Sequence, residues 1–411
     1  MSEPIRFGIG FLAGRPNVCK IINRYYQDII EQGEKYGKEI KFTIFILYDL
    51  NYQGTKRIDF YNIKSEVYKK IEIKYIAPED IEEEKKILVS RYDFNKKDID
   101  LILGHGYAKA RNSIMYFALK RKIDYLFFWD DDEYLVANIS DENNQIEWVK
   151  QDDILQHLKN IKNADVTVGY RCRNISPVPK IEYNNIITEQ DFKHYIDGIS
   201  NEAVTWDKLK NEERQEGGIS FANRKIVFEG KAHELKDVGI NNWLWASGIC
   251  FNLKRLENIP AFYNPPFARG EDTFLSTLLK NAKVVQVPTY HFHDGFLKYS
   301  SILENKFPKK FNKIKLDESV EERFLRTSIG WIKYKPLLIY ITDRKNYSKI
   351  IKQTREDLEK GITAVNKLFD TESFNVLLDE LNNYDHNVRK HYNEYIKTNE
   401  VWNKLKSQMK F

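Results

Sequence analysis

Three consecutive aspartates, Asp130, Asp131 and Asp132, follow the apolar run Tyr125-Leu126-Phe127-Phe128-Trp129. Adjacent carboxylates repel unless a cation or hydrogen-bond donors compensate them. In an extended chain Asp130 and Asp132 point to the same side, so together they can grip one hard divalent ion through oxygens. The run reads equally as a solvated acidic turn, because Asp is common in turns. A second acidic pair, Glu271-Asp272, follows Gly270 and opens a helical run over 274–279. A carboxylate there can act as a general base kept ionised by the positive helix end, or simply as a helix cap.

His291 and His293 alternate at the end of an apolar stretch, so both can face one side of an extended chain and reach a metal. A strand-end histidine is also often an ordinary surface or packed residue. Gly104 and Gly106 precede a helix start that carries Arg111 and Asn112, an arrangement that allows close approach of a nucleotide or phosphate. It lacks the established phosphate-loop and dinucleotide fingerprints. Asp49 closes another apolar run, where an aspartate usually starts a turn.

These residues need a frame to hold them. Apolar runs at 5–12, 40–48, 71–76 and 125–129 read as strands, with helical periodicity over 18–34 and 108–121 between them. Later strands are expected at 164–170 and 283–290. The alternation predicts an α/β fold with a mostly parallel sheet and helices on both faces. Five large apolar residues before the aspartates suit a strand buried on both faces, and ligands of such sheets bind at the carboxyl ends of strands. Residues 174–240 are polar and turn-rich, an irregular insertion of the kind that serves as a lid. From 297 to 411 the chain turns Lys-rich and helical, which divides it into a catalytic domain over 1–296 and a C-terminal helical region.

The 411 residues include 25 Tyr and 24 Phe, enough for a large core, and carry a net charge of +5, too mild to argue for nucleic acid. No eighteen-residue apolar run occurs and the first residues lack a signal-peptide layout. Cys19, Cys172 and Cys250 are widely separated, which favours a reducing cytoplasm.

The ordered set resembles the GT-A fold of nucleotide-sugar-dependent glycosyltransferases, closest to glycosyltransferase family 2, over residues 5–296. The resemblance rests on Trp129-Asp130-Asp131-Asp132-Glu133, on Gly106 through Asn112, on Glu271-Asp272 and on His291 or His293. It implies a Rossmann-like GT-A domain. It implies a divalent ion, Mn2+ or Mg2+, held on the sugar-nucleotide diphosphate by Asp130, Asp132 and His291 or His293. It further implies donor contacts from Asp49, Arg111, Asn112, Asp130 and Asp131, and Asp272 as base beside Glu271 in an inverting transfer. The first strand ends Gly14-Arg15-Pro16, unlike the family's usual start, and the 174–240 insertion has no counterpart in it.

On that resemblance the partners are a nucleotide-diphosphate sugar and a glycan or lipid-linked acceptor, in a cytoplasmic protein, at the inner face of the membrane if the C-terminal region docks there. The acceptor side is expected from Trp243, Trp245, Ser247 and Gly248, since aromatic planes suit sugar rings; both tryptophans suit a core equally. Lys306, Lys309, Lys310, Lys313 and Lys315 precede an apolar run over 331–341 that either docks on an anionic membrane or packs against the catalytic domain. Two other classes remain open: a sugar-1-phosphate nucleotidyltransferase, and a non-catalytic sugar-binding module on the same fold.

Overall fold

The computed structural model describes residues 3–51, 54–140, 142, 145–173, 178–202, 204–212, 220–311 and 317–409. Its strands in chain order are β1 (Ile5–Ala13), β2 (Ile40–Tyr48), β3 (Glu72–Ile76), β4 (Tyr125–Asp130), β5 (Glu133–Tyr134), β6 (Val136–Ser140), β7 (Ile146–Lys150), β8 (Val166–Arg173), β9 (His233–Glu234), β10 (Ile249–Asn252) and β11 (Val284–His293). One sheet runs in the order β3-β2-β1-β4-β10-β8-β11-β5, with β9 also on β11, while β6 and β7 form a separate hairpin. Strands β1, β2, β3, β4, β8 and β11 point one way; β5, β9 and β10 run against them. The fold is mixed α/β on a mostly parallel sheet.

The period-two pattern of β4 explains its double burial. Phe127 and Trp129 join a core beneath the helix Asn17–Tyr36, while Leu126 and Phe128 join a second core beneath the helix Tyr107–Lys120. Burying both faces favours a strand placed mid-sheet. Gly10 on β1 lets the second helix sit close, since a Cβ there would meet Ile114 Cγ2 at 2.8 Å. Trp129 ties core to site: its ring packs 5.3 Å from Phe11 and its indole N–H donates to Glu133 O at 3.0 Å.

The C-terminal region is helical, over Glu318–Thr342, Tyr347–Phe369, Val376–His386 and Val388–Gln408. Part of the segment expected as an insertion over 174–240 packs against these helices. Residues 174–177, 203 and 213–219 of that segment lie outside the described residues. The remainder includes a helix, Glu189–Ile199, begun by a Thr188/Asp191 capping box. Phe192, Tyr195, Ile196 and Ile199 of this helix share one core with Phe324, Ile332, Leu358, Ile362 and Phe374. This part of the insertion therefore belongs with the C-terminal helices. The last helix does the reverse, packing onto the sheet domain through Trp402, whose indole donates to Ile259 O at 3.0 Å. Ile332, Tyr334 and Leu337 of the 331–341 run are buried, so that run packs inside the protein. Lys313 and Lys315 lie outside the described residues. Among the described residues no helix is long and apolar enough to cross a membrane.

Candidate active site

From β1 the chain builds β2 and β3 to one side, then returns to place β4 on the other. The carboxyl edge between β1 and β4 is therefore a topological switch point, where open α/β sheets bind ligands. β1 delivers Gly14 and Arg15 there, β2 delivers Asp49, β4 delivers the three aspartates and β11 delivers His293. Because β10 is antiparallel, Ser247 and Gly248 reach the same edge by preceding that strand.

All three aspartates are held by arginines, and Arg15 serves two of them, its Nη1 lying 3.3 Å from Asp131 and 2.8 Å from Asp132. Asp130 lies 3.1 Å from Arg111 Nη2 and 3.7 Å from Arg171 Nη2, and burial raises its carboxyl despite both cations. Asp131 accepts the backbone N–H groups of Gly14 at 3.0 Å and Arg15 at 2.9 Å. Burial still pushes its carboxyl up to about 7. Asp132 faces Arg15 Nη1 at 2.8 Å and His293 Nε2 at 3.5 Å. Burial opposes its ionisation, but the imidazole and guanidinium outweigh that and hold it well below the usual carboxylate range. The acidic tip is thus bracketed by three arginines and one histidine.

Beneath it lies a charged network in which Glu133, His291 and Asp153 are fully buried. Glu133 receives the Ser247 hydroxyl, faces His291 Nδ1 at 3.0 Å and pairs with Arg171 Nη2 at 2.8 Å. Its burial is overcome by Arg171 and His291, leaving the carboxyl at about 2. On its other side His291 Nε2 stands 2.9 Å from Asp153, a residue of the helix Asp153–Ile161. Burial would discharge this imidazole, but the flanking Asp153 and Glu133 carboxylates raise it to about 10. The network reaches Asp130 through Arg171 and through Ser247, whose Oγ accepts Asp130 N–H at 3.0 Å.

The second acidic motif starts the helix Glu271–Leu278. Glu271 is buried, 3.5 Å from Arg111 Nε, and burial and its neighbour Asp272 push it up to about 7 against that guanidinium. Asp272 is only half-buried, and its carboxylate accepts its neighbour Thr273 N–H at 2.9 Å. One guanidinium therefore spans the distance between the two acidic motifs.

The expected site residues lie in different surroundings. Of the two histidines that the sequence offers to a metal, His291 is sealed between Glu133 and Asp153, and His293 adjoins Asp132. Asn112, expected at the donor, is fully buried and turned to Phe262, giving Nδ2 to its carbonyl at 2.9 Å and accepting its N–H at 2.8 Å. Asp49 reaches the edge but its carboxylate accepts Asn51 N–H at 3.0 Å, as a turn residue does. Trp245 is half-buried, with the Arg171 guanidinium 5.1 Å from its ring centre. Ser247 and Gly248 are buried parts of the edge, with Ser247 serving to fix Asp130 and Glu133. Trp243 lines a separate groove.

Arg15 and Arg171 were not singled out from sequence. Arg15 carried a weak signal, since a strand ending in Gly-Arg points its next side chain into the switch point. Arg171 and Asp153 carried none, because their charges become adjacent only through pairing of distant segments.

Among the described residues no group of three or more His, Cys, Asp or Glu is arranged to hold a metal ion. Mg2+-type ions usually keep several waters and use one or two protein groups plus substrate phosphates. Asp132, an ionised oxygen donor at the open edge, fits that requirement, and the His293 imidazole stands 3.5 Å from it. No protein-family model matches the chain, and no curated protein matches it.

Proposed function

We propose that this protein is a metal-dependent glycosyltransferase of GT-A type that moves a sugar from a nucleoside-diphosphate sugar to a hydroxyl group. The observation that carries the reading is the Arg111 bridge, which holds the strand-end aspartates and the Glu271-Asp272 helix start within one guanidinium's span. Placement of both motifs at the switch point of a mostly parallel sheet supports it further.

Asp132 and His293 would hold the divalent ion, which supplies charge neutralisation to the departing diphosphate. Arg15 and Arg171 add fixed positive charge along the same edge. Asp272, exposed enough to meet an acceptor and set at a helix N-terminus, takes the proton of the attacking hydroxyl. Burial and the neighbouring Asp272 raise the Glu271 carboxyl, so it keeps its proton more readily than a free glutamate, which limits repulsion beside the base. Trp245 offers a ring face to the sugar. Attack opposite the leaving group inverts the anomeric centre.

Release of nucleoside diphosphate from a panel of UDP-, GDP- and dTDP-sugars, with and without Mn2+, tests the proposal. Mn2+-dependent release from one donor is the expected result. Pyrophosphate formed from a sugar 1-phosphate and a nucleoside triphosphate would instead mark a nucleotidyltransferase, and sugar binding without turnover a binding module.

A further inference from the structure

Asp132, the oxygen donor assigned to the divalent ion, already carries a cation. Arg15 Nη1 donates to its Oδ2 at 2.8 Å, and His293 Nε2 faces the same oxygen at 3.5 Å. An ion bound to this carboxylate would stand within a few ångströms of the guanidinium, a separation at which like charges repel strongly in a partly buried site. The ion and the Arg15 head therefore compete for one carboxylate.

The main chain of Arg15 is tied down independently of its head. Asp131 Oδ2 accepts Gly14 N–H at 3.0 Å and Arg15 N–H at 2.9 Å, while Asn17 Nδ2 donates to Asp131 O at 2.7 Å. The guanidinium also stands 3.3 Å from Asp131 Oδ1, so it can give up Asp132 without leaving the edge. Its side chain is 15% exposed, enough to meet a ligand there. A guanidinium presents a planar fork of N–H donors that matches phosphate oxygens as well as it matches a carboxylate.

We infer that Arg15 couples the ion to the diphosphate: its guanidinium neutralises Asp132 in the empty site, yields that carboxylate to the ion, and turns to the diphosphate that binds with it. The inference rests on the metal-dependent site proposed above. An ion arriving alone takes Asp132 from Arg15 and leaves that guanidinium with less compensation. Ion and diphosphate together give every charge a partner, so each raises the affinity of the other by the same factor. The site thereby discriminates against bare divalent ions.

The test titrates the full chain by calorimetry with Mn2+ alone and with the preformed complex of Mn2+ and inorganic pyrophosphate. In Arg15→Ala, Mn2+ alone should bind about threefold tighter or more, while Mn2+–pyrophosphate should bind about tenfold weaker, in line with loss of a charge-assisted contact. The opposite signs are diagnostic, because a merely structural role for Arg15 would weaken both titrations. Arg15→Lys keeps the positive charge and the main-chain anchor, so it should return Mn2+ affinity toward the original value. Mn2+ affinity unchanged or lower in Arg15→Ala, a gain that Arg15→Lys retains, unchanged Mn2+–pyrophosphate affinity, or no binding of Mn2+ in either form overturns the inference. Opposite shifts in a protein that releases no nucleoside diphosphate from any donor support the coupling while removing the transferase. A Mn2+-dependent transferase whose Arg15→Ala variant binds Mn2+ no tighter keeps the transferase and removes the coupling.

Discussion

Arg111 and Glu271 stand 3.5 Å apart, with the other end of the same guanidinium 3.1 Å from Asp130. The guanidinium also lies over the rings of Phe128 and Phe262, at 5.4 and 5.9 Å. Arg111→Met preserves bulk but strands two carboxylates in a low-dielectric setting, where removal of one partner of a buried pair costs about 3–5 kcal/mol. Urea denaturation should show a loss of that order. In Glu271→Gln the Arg111 substitution should cost less, because one stranded charge is already gone. Equal losses in both backgrounds would mean that Arg111 and Glu271 do not interact.

The two histidines should separate by what each variant loses. His293→Gln removes a group at the open edge beside Asp132, so Mn2+ affinity should fall about tenfold or more, with little change in stability. His291→Gln breaks a buried pairing with Glu133 and Asp153, so stability should fall by about 3–5 kcal/mol. Mn2+ titration and thermal denaturation of both variants check the pair of expectations. Asp132→Asn should abolish Mn2+-dependent donor binding.

The legible parts of this architecture were those set by local pattern. The run before Asp130 reads as a buried strand from five residues alone, and β1, β2 and the helix Asn17–Tyr36 stand close to their expected bounds. Strand β10 was not legible, because antiparallel insertion of Ile249–Asn252 depends on its neighbours β4 and β8 rather than on its sequence. The helix Glu189–Ile199 carried its own signal, apolar residues at 192, 195, 196 and 199 behind a Thr-x-x-Asp cap, hidden among polar flanks. In the site, alternation put His291 and His293 on one side but could not tell which lies at the edge. That depends on Glu133 and Asp153 closing over His291 from separate elements.

Stability should fall as pH rises, in two steps with different origins. Glu271 is raised from 4.5 to about 7 in the folded protein, so its favourable contribution is complete below 4.5 and lost as pH climbs through 7. Asp131, raised from 3.8 to about 7, acts in the same direction. His291 is raised from 6.5 to about 10, so its contribution is complete below 6.5 and lost toward 10. Glu133, lowered to about 2, works oppositely: its share is present above 4.5 and lost as pH falls through 2. Urea midpoints across pH 4–10 should therefore decline. Glu271→Gln should flatten the acid half by about 1–3 kcal/mol, and His291→Gln the alkaline half. A wild-type curve rising between pH 4.5 and 7 contradicts the Glu271 assignment.

The union of the insertion with the C-terminal helices rests on a close backbone approach. A Cβ at Gly361 would lie 2.4 Å from Tyr195 N, against main chain that cannot rotate aside. Gly361→Ala should force the helix Glu189–Ile199 away from the helix Tyr347–Phe369, at a cost of about 1–3 kcal/mol for overpacking. Hydrogen exchange should rise in 189–199 while strands β1 and β4 keep their protection. Uniform loss across the sheet would show that the helical part has no independent cooperativity.

Asp272 gives the sharpest separation between structure and chemistry. It is half-buried, and its carboxylate bonds its own helix through Thr273 N–H, a bond that the Asn side chain also accepts. Asp272→Asn should leave stability within about 0.5 kcal/mol and leave donor binding unchanged, because the groups assigned to the diphosphate are Asp132, His293 and the arginines. Transfer should fall by about 10^2–10^4, the usual contribution of a positioned base. Mn2+-dependent donor binding, measured beside acceptor turnover, reads both halves. Turnover at the original rate would remove Asp272 as base, and lost donor binding would place it on the donor side of the cleft.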